Sequence, residues 1–510
     1  MKQNRIIIAI IAAAAALPSA AEVDIDYSAT LAAGVADGGL APYHIATMEG
    51  GRFTSGGMTL LGLEAHHSMS DSTRWAWGAG VEVWGGYNRK ASYGRYNGST
   101  GQMTVNWQRP AALWLQQAYV SGRYRGMTLT IGQREQRPVT VGRNSSGDLT
   151  RSGNSRPLPG AGLRFRDFLD VPLTRGWVQA LMELSFNCST DASWIENHYV
   201  GRGGFVTTGY WLSYKSLYLR SKPSQLVVVT LGLQTNCQFG GTKTSYDLQG
   251  NVTGVEKMES DFKTFLKSVV PGGESGTTNP DKFCVGNHVG SVDVAVDWHI
   301  GQTGKTLRAY LQNPFEDGSS LGKMNGWDGL WGLEYRAGEH DAVSNIVVEY
   351  LDLTNQSGPM HWAPADNPGT QVPNQATGAD DYYNNHAYNG YHTAGLSIGS
   401  PMVSSPLWNR DGYMQYRDNL LRGVHVAVEG ELTREWRYRA VYSHRKAWGT
   451  PFVPRVTGVT ADCFLLEATY VPRRMPRLAV RARLGIDRGT LAGNNVGGLV
   501  TATYSGDFSF

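Results

Sequence analysis

The sequence predicts an all-β protein, a transmembrane antiparallel β-barrel of roughly 16 to 18 strands with its lumen occluded by loops. Three observations predict this fold: an export signal at the start of the chain, many segments that alternate apolar and charged side chains, and a final strand that ends in phenylalanine. The 510 residues include 63 glycines, 25 tyrosines and 15 tryptophans. Such a glycine- and aromatic-rich composition is typical of large antiparallel β architectures.

Residues Met1–Ala21 are predicted to be a signal peptide. Lys2 and Arg5 give it a positive start, and Ile6–Leu17 is an apolar run too short to span a bilayer, followed by small residues suited to cleavage. Removing Lys2 and Arg5 lowers the net charge from +3 to +1, which gives no support for nucleic-acid binding. We expect residues 22–510 to form one outer-membrane β-barrel domain.

A period of two runs through the candidate strands. In Ser291–Ile300, valines alternate with Asp293 and Asp297, and Arg477–Asp487 and Glu435–Arg445 repeat the pattern with arginines at the polar positions. This is the pattern of a strand with one apolar face and one wet face. A soluble sandwich would alternate too, but charged residues on so many polar faces favour a polar barrel lumen.

The chain ends on the predicted strand Leu499–Phe510. Its apolar face resembles the assembly signal of bacterial outer-membrane barrels and consists of Val500, Ala502, Tyr504, Phe508 and Phe510. The ending predicts a location in the outer membrane of a Gram-negative bacterium, with outer-membrane lipid around the barrel and the barrel-assembly machinery as a partner through Phe510. Closure into a barrel removes the sheet edges that lipid cannot solvate.

A loop between Thr306–Gln312 and Gly329–Tyr335 carries three acids, Glu316, Asp317 and Asp328. These acids either close turns or supply an acid/base pair like that of glycosidases. The sequence predicts neither a nucleophile elbow, a Gly-x-Ser-x-Gly run placed on a turn between a strand and a helix, nor a helix with the His-Glu-x-x-His motif. We therefore expect no catalytic residues and no enzymatic activity.

The interval Asn355–Leu420 is the candidate ligand-binding region, because it contains the run DDYYNNHAYNGY. Tyrosine rings can stack on the apolar faces of sugars, while carboxylates and amides bond to hydroxyls. The residues expected to contact a polysaccharide are Tyr382, Tyr383, Tyr388, Asp380, Asp381, Asn384 and Asn385. The alternative is a solvated loop without a ligand.

The four cysteines, Cys188, Cys237, Cys284 and Cys463, lack any metal-binding spacing. An exported protein permits disulfides, but four cysteines allow three pairings, and free thiols are equally acceptable. We expect no metal and no cofactor. A short amphipathic helix is predicted within Glu256–Val269 from its helical spacing of apolar residues.

Several segments together resemble the Wzi-type capsule-assembly family, in its Bacteroides-like branch. The most distinctive is Ser152–Pro159, SGNSRPLP. The others, in order along most of the mature chain, are Leu40–Tyr43, Gly50–Arg52, Leu115–Val120, Thr130–Gln133, Gln312–Ser320, Asp328–Glu334, Tyr382–Tyr391 and Ser397–Pro401. The resemblance implies a lectin-like, non-catalytic barrel that binds capsular or surface polysaccharide and helps anchor or assemble it on the cell. The sequence departs from the family's enteric members by having no convincing N-terminal helix bundle and by ending on a strand.

Two other functions stay open, an outer-membrane porin or diffusion channel and an outer-membrane enzyme acting on polysaccharide or lipid. The porin needs an open lumen, whereas we expect Ser152–Pro159 and Asn313–Asp328 to fold inward as a plug. In that plug Arg156 is expected to pair with Glu316 or Asp317 through a charge-assisted bond.

Overall fold

The computed structural model describes residues 23–270, 285–359, 361–362, 376–377 and 379–509. The predicted signal peptide, Cys284 and the terminal Phe510 lie outside the described residues.

One closed sheet of 18 antiparallel strands forms the body of the described chain. Its sixth strand is interrupted, and both of its pieces pair with the seventh strand. The first and last strands pair from Asp24 with Ser509 to Ala36 with Gly497, which closes the barrel. The predicted fold is confirmed, at the upper end of the predicted strand number. The strands are β1 Asp24–Leu40, β2 Ser55–His67, β3 Trp75–Asn88, β4 Leu113–Tyr124, β5 Met127–Gln133, β6 Gly160–Phe165 with Leu169–Asp170, β7 Val178–Cys188, β8 Trp211–Ser221, β9 Val227–Phe239, β10 Asn287–Ile300, β11 Lys305–Phe315, β12 Gly329–Arg336, β13 Asn345–Asp352, β14 Leu421–Thr433, β15 Trp436–Gly449, β16 Pro454–Tyr470, β17 Leu478–Gly489 and β18 Asn495–Ser509.

The two ends of the barrel differ in the length of their connections. Next to the chain termini, short turns such as residues 125–126 and 434–435 join the strands. At the opposite end the connections include residues 134–159 and 353–420. Outer-membrane barrels have short periplasmic turns and long extracellular loops, so we assign the long-loop end to the cell exterior.

The alternating faces lie as the sequence predicts. On β10, Val292 and Trp298 point outward and are exposed, while Asp293 and Asp297 are buried inside the barrel. The outer face of the other strands is likewise apolar, with exposed residues that include Leu31, Leu61, Leu63, Leu129, Ile131, Leu231, Val348, Leu466, Leu484 and Val500. A barrel with an apolar exterior and a polar interior is suited to lipid outside and polar packing inside.

Short accessory elements occupy the long-loop end. The helices are α1 Tyr43–Ala46, α2 Ala192–His198, α3 Phe262–Lys267 and α4 Gly318–Leu321, with a 3-10 turn at Pro406–Trp408. The small sheets pair Ala91–Asn97 with Gln102–Gln108, Thr242–Tyr246 with Phe205–Thr208 and Val252–Lys257, His361–Trp362 with Ala376–Thr377, and His392–Thr393 with Leu396–Ser397. None of the helices in the described ranges has the length and apolar character needed to span a bilayer.

The helix predicted within Glu256–Val269 is shorter than expected. It begins after Asp261, whose carboxylate accepts a hydrogen bond from the backbone N–H of Thr264 at 2.8 Å, the usual way to satisfy a free N–H at a helix start. Glu256 and Lys257 belong to a strand instead. Of the described cysteines, Cys188 and Cys463 are free thiols.

Candidate functional site

Residues 134–159, here called the plug, leave the end of β5 and cross the inside of the barrel. Their side chains and backbone bond to the inner faces of strands on several sides of the lumen. The wall partners are Glu183 on β7, Gln234 on β9, Ser291 and Asp293 on β10, Arg308 and Gln312 on β11, Asn345 and Glu349 on β13, His425 on β14 and Arg439 on β15. The predicted occlusion of the lumen by loops is therefore confirmed.

A carboxylate on the barrel wall holds the middle of the plug. Glu349 accepts hydrogen bonds from the hydroxyl of Ser145 at 2.5 Å and from the backbone N–H of Ser146 at 2.7 Å. The hydroxyl of Tyr310 also donates to it. All these groups are buried, and charge-assisted bonds of this kind are roughly twice as strong as neutral ones.

Further along the plug, Arg151 forms a two-pronged ion pair with Glu183. Its Nη1 and Nη2 donate to the two carboxylate oxygens at 2.7 and 2.9 Å, and its guanidinium lies 3.5 Å from the centre of the Tyr214 ring. The two hydrogen bonds to Glu183 and the cation–π contact with Tyr214 together fix the position of the Arg151 side chain. The plug is thus tied to the wall by a partly buried pair, not merely packed against it.

Residues 379–420, here called the inner loop, lie against the plug. The hydroxyl of Tyr391 donates to the carbonyl of Thr150 at 2.6 Å, and Ser152 donates to the carbonyl of Gly399 at 2.7 Å. The amide of Asn154 donates to the carbonyl of Ser397 at 3.0 Å. Ser152 and Asn154 are buried, so the start of the segment Ser152–Pro159, which was predicted to fold inward, lies inside the protein.

The other predicted plug segment, Asn313–Asp328, lies partly inside and partly outside. Asn325 is buried and its amide donates to the hydroxyl of Tyr382 at 3.0 Å, whereas Trp327 and Met324 are exposed. This segment therefore does not fold inward as a whole.

The tyrosines expected to stack on sugar are inside the protein. Tyr382, Tyr383 and Tyr388 are 2%, 3% and 3% exposed. Tyr388 packs edge-on against Tyr210 with ring centres 6.0 Å apart. The expectation that these rings face a ligand at the surface is wrong, because the inner loop uses their large apolar area to fill the barrel.

The four predicted polar partners are occupied by hydrogen bonds within the protein. Asp380 accepts hydrogen bonds from the hydroxyls of Ser357 and Ser320, and Asp381 accepts from the amides of Asn419 and Asn384. Asn384 also pairs with the backbone of Tyr416, and Asn385 donates to Asn287. These side chains hold the loop in shape, and the structure does not present them to a polymer.

The predicted pairing of Arg156 with Glu316 or Asp317 is also wrong. Among the described residues no hydrogen bond or ion pair joins them; the guanidinium of Arg156 lies 5.3 Å from the ring centre of Trp114, and its Nε has no hydrogen-bond partner. Burial and the nearby positive charge of Arg52 lower the pKa of Arg156 to about 10. Glu316 instead accepts from the backbone N–H of Tyr383 at 2.6 Å.

The third acid of that region, Asp328, binds the backbone of a segment 27 residues further along the chain. Its two oxygens accept hydrogen bonds from the backbone N–H groups of Asn355 and Gln356 at 3.0 and 2.8 Å. Burial raises its pKa to about 6. Asp328 thus fixes a distant part of the backbone, whereas Asp317 accepts from the backbone N–H of Ser320, three residues on, as an acid that closes a turn does.

The last part of the inner loop, residues 411–418, exposes every second side chain. Asp411, Tyr413 and Arg417 are exposed and Gln415 is half-buried, while Met414, Tyr416 and Asp418 are buried. We call residues 411–417 the outer segment. Sequence reasoning missed it, although the period of two in DGYMQYRD was a usable signal.

Tyr413 lies at the centre of the outer segment and is 41% exposed. Its hydroxyl donates to the amide oxygen of Gln415 at 3.1 Å, and the guanidinium of Arg417 lies 4.7 Å from its ring centre. Arg417 also bonds to the carboxylate of Asp411. Partial burial raises the pKa of Tyr413, so its hydroxyl stays protonated and able to donate.

Several solved outer-membrane β-barrels resemble this chain in fold. Wzi of Escherichia coli, described as an outer-membrane protein involved in group 1 capsule assembly and a carbohydrate-binding β-barrel, matches with a TM-score of 0.56 and 14% identity over 94% of this chain and 84% of that one. OccAB2 of Acinetobacter baumannii matches with a TM-score of 0.47 and 10% identity over 95% of this chain and 98% of that one. OpdK of Pseudomonas aeruginosa, solved with vanillate, has a TM-score of 0.45 and 10% identity over 95% and 99%.

The chain is an outer-membrane β-barrel. Its closed sheet, apolar exterior and long-loop end carry that conclusion, and the likeness to Wzi supports the same fold. No family model and no curated protein sequence matches the chain.

Proposed function

We propose that this outer-membrane barrel binds a capsular or other surface polysaccharide at its extracellular end and helps to anchor or assemble it on the cell. The observation that carries the proposal is the outer segment, an exposed tyrosine ring surrounded by hydrogen-bonding groups above a filled lumen. The carbohydrate-binding barrel Wzi, which has this fold, supports the proposal.

The chemistry of the outer segment suits a sugar. The Tyr413 ring offers a flat apolar face, and Asp411, Gln415 and Arg417 offer acceptors and donors for hydroxyl groups. Each such contact contributes on the order of 1 kcal/mol. A single site is therefore weak, and retention depends on one polymer engaging many barrels at once.

The same protein needs no catalytic group for this role. Glu316, Asp317 and Asp328, the acids that suggested an enzyme, accept backbone hydrogen bonds. Their positions support a binding protein over a hydrolase. Incubation of the purified barrel with polysaccharide should yield no new reducing ends, whereas chain shortening would favour the enzyme.

A diffusion channel is the second candidate, because charged side chains such as Arg437 and Arg481 line the lumen. The plug and the inner loop oppose free passage. Single-channel recording in planar bilayers separates the two functions: a binder with this plug should conduct little, and a steady open-pore current would favour the channel.

The direct test replaces Tyr413 in cells that make the polysaccharide. Tyr413→Ala should shift polymer from the cell surface into the medium without lowering total synthesis. Tyr413→Phe keeps the ring and should retain most of it. The matched control is Tyr124→Ala, which removes an exposed tyrosine at the opposite end of the barrel. Full retention by Tyr413→Ala at normal outer-membrane levels would exclude this residue as the site.

A further inference from the structure

A cavity of about 60 Å³ lies inside the barrel, between the α1 region, the plug and the wall. About 10–15 Å³ of such volume suffices for one water molecule, so the cavity has room for several waters or one small ion. Its charged lining consists of Glu49 and three arginines, Arg143 from the plug, Arg439 from β15 and Arg483 from β17.

Two of the three arginines have no carboxylate partner. Arg439 donates from Nε to the side-chain oxygen of Asn144 at 2.7 Å, and among the described residues no acid lies within ion-pair distance of it. Arg143 has neither an ion pair nor a side-chain hydrogen bond there, and it is exposed. The cavity is therefore open to solvent on the side of Arg143.

The third arginine, Arg483, forms ion pairs, but one of its guanidinium nitrogens has no hydrogen-bond partner. Arg483 donates to Glu49 from Nη2 at 2.7 Å and to Glu467 from Nε at 2.8 Å. The residue is only 5% exposed, and its Nη1 has no hydrogen-bond partner. The hydroxyl of Ser146, another lining residue that is 4% exposed, also has none.

The balance of charge favours an anion. Glu49 and Glu467 both pair with Arg483, which leaves Arg439, a partly buried cation, without a counter-charge, and such a position is costly. A buried N–H donor without an acceptor costs stability too. Both costs fall if an acceptor with negative charge occupies the cavity.

We propose that this cavity binds a small oxyanion, a phosphate, sulfate or carboxylate group. Arg143 and Arg439 would supply the free guanidinium edges, and Arg483 Nη1 and the Ser146 hydroxyl would donate from the wall. Guanidinium groups bind carboxylate and phosphate oxygens through two parallel hydrogen bonds. The site is separate from the outer segment and does not depend on polysaccharide binding.

The oxyanion has two possible sources, a free inorganic ion or the carboxylate of an acidic sugar. The test titrates the purified full-length mature barrel in detergent with inorganic phosphate, and in a second series with glucuronate, by isothermal calorimetry. Chloride keeps the ionic strength constant, so that general screening does not register as binding. Saturable binding of either compound supports the site, and the better ligand identifies the source.

The variants are Arg143→Gln, Arg439→Gln and the double substitution. Each single change should weaken binding by tenfold or more, and the double change should abolish it. Arg143 contacts no side chain through hydrogen bonds, so its variant keeps the fold and stays informative if Arg439→Gln assembles poorly. Arg437→Gln is the matched control, because it removes an arginine two residues away on the same face of β15 but outside the cavity.

The proposal would be overturned by the absence of saturable phosphate or glucuronate binding to the wild-type barrel, or by undiminished binding in Arg143→Gln and the double variant. If Arg437→Gln weakened anion binding as much as the cavity variants do, the effect would come from the overall charge of the lumen, and the site would be rejected. Tyr413→Ala should leave the titration unchanged, so this proposal and the polysaccharide proposal fail separately.

Discussion

The hydroxyl of Tyr383 donates a hydrogen bond to the carbonyl oxygen of Leu149, 2.5 Å away. The same hydroxyl accepts a hydrogen bond from the backbone N–H of Ser400 at 3.1 Å. One buried phenol therefore joins the plug to two separate parts of the inner loop. Tyr383 and Leu149 are 234 residues apart in sequence. Their contact therefore connects the plug and the inner loop, the two segments that fill the lumen.

Tyr383→Phe should loosen the inner loop without unfolding the barrel. The change leaves a buried carbonyl and a buried N–H without a partner, at a cost of about 1–3 kcal/mol for each such group. Limited proteolysis in detergent should cut residues 384–420 faster in the variant. Tyr413→Phe is the control, since it removes a hydroxyl at the surface. Equal cutting rates in Tyr383→Phe and wild type would contradict the role of this bond.

Arg151→Met should partly free the plug. The substitution keeps an unbranched apolar stem but removes the guanidinium and leaves Glu183 with only Arg164, 3.9 Å away; breaking a buried ion pair in this way typically costs about 3–5 kcal/mol. In planar bilayers the variant should show more frequent or larger openings than wild type.

The double variant Arg151→Met with Glu183→Gln is the control for the unpaired carboxylate that the single variant leaves on Glu183. The double variant removes the unpaired carboxylate and should recover part of the lost stability, measured as the temperature at which the folded band disappears on a gel. If Arg151→Met conducts no more than wild type, this ion pair does not hold the plug in place.

The barrel itself was predictable because its signal is local. A period of two along β10 assigns Asp293 to the lumen and Val292 to the outside, and the structure agrees. The same rule assigns Arg483 on β17 correctly. Closure was predictable because an open sheet would leave the backbone N–H and C=O groups of its edge strands without hydrogen bonds in lipid. Only the number of strands stayed approximate.

The positions of the loop side chains were not predictable in the same way. Whether Tyr382 is a surface platform or a buried filler depends on whether the inner loop enters the barrel, and that depends on contacts such as its bond with Asn325. Opposite charges do not fix partners either: Arg156 meets the face of Trp114. Composition identified the aromatic, polar content of the loop, while long-range packing decided which side chains reach solvent, as Tyr413 does.

The inner loop should respond to acid through His392. Its Nε2 lies 3.1 Å from the carbonyl oxygens of Asn389 and Met414, and its Nδ1 accepts from the N–H of Gly395. Burial lowers its pKa to about 4, whereas an exposed histidine titrates near pH ~6.5. The opened loop therefore binds a proton first, so stability falls as pH falls from about 6.5 towards 4, by about 3 kcal/mol in full. His392→Gln should make loop protection less sensitive to acid.

Asp191 should act in the opposite direction. It accepts a hydrogen bond from the N–H of Ala394 at 2.8 Å, and burial raises its pKa to about 6. The folded state then holds its proton more tightly than an exposed aspartate does near pH ~3.9, so this group favours folding as pH falls from about 6 to 4. Asp191→Asn should make the loop more acid-sensitive. Proteolysis midpoints at pH 7.5 and 5 test both variants, and equal pH differences in the two would contradict the assignments.

The closing strand should make assembly sensitive to the end of the chain. β18 pairs with β17 on one side and with β1 on the other, so the barrel cannot close until this last strand is placed. The sequence ends in Phe510, and the resemblance of that ending to an assembly signal predicts that the barrel-assembly machinery reads it. Deleting Phe510 or changing it to Asp should lower the amount of barrel in the outer membrane several-fold, while Phe510→Trp should retain most of it.

Ser505→Ala, an exposed position on the same strand, is the control for general effects on β18. The measurement is the outer-membrane fraction that changes gel mobility on heating, since only a folded barrel resists unfolding in cold detergent. If Phe510→Asp yields as much heat-modifiable barrel as Ser505→Ala, the terminal ring is not required for insertion. Closure would then depend on the paired backbone of β1 and β18 alone.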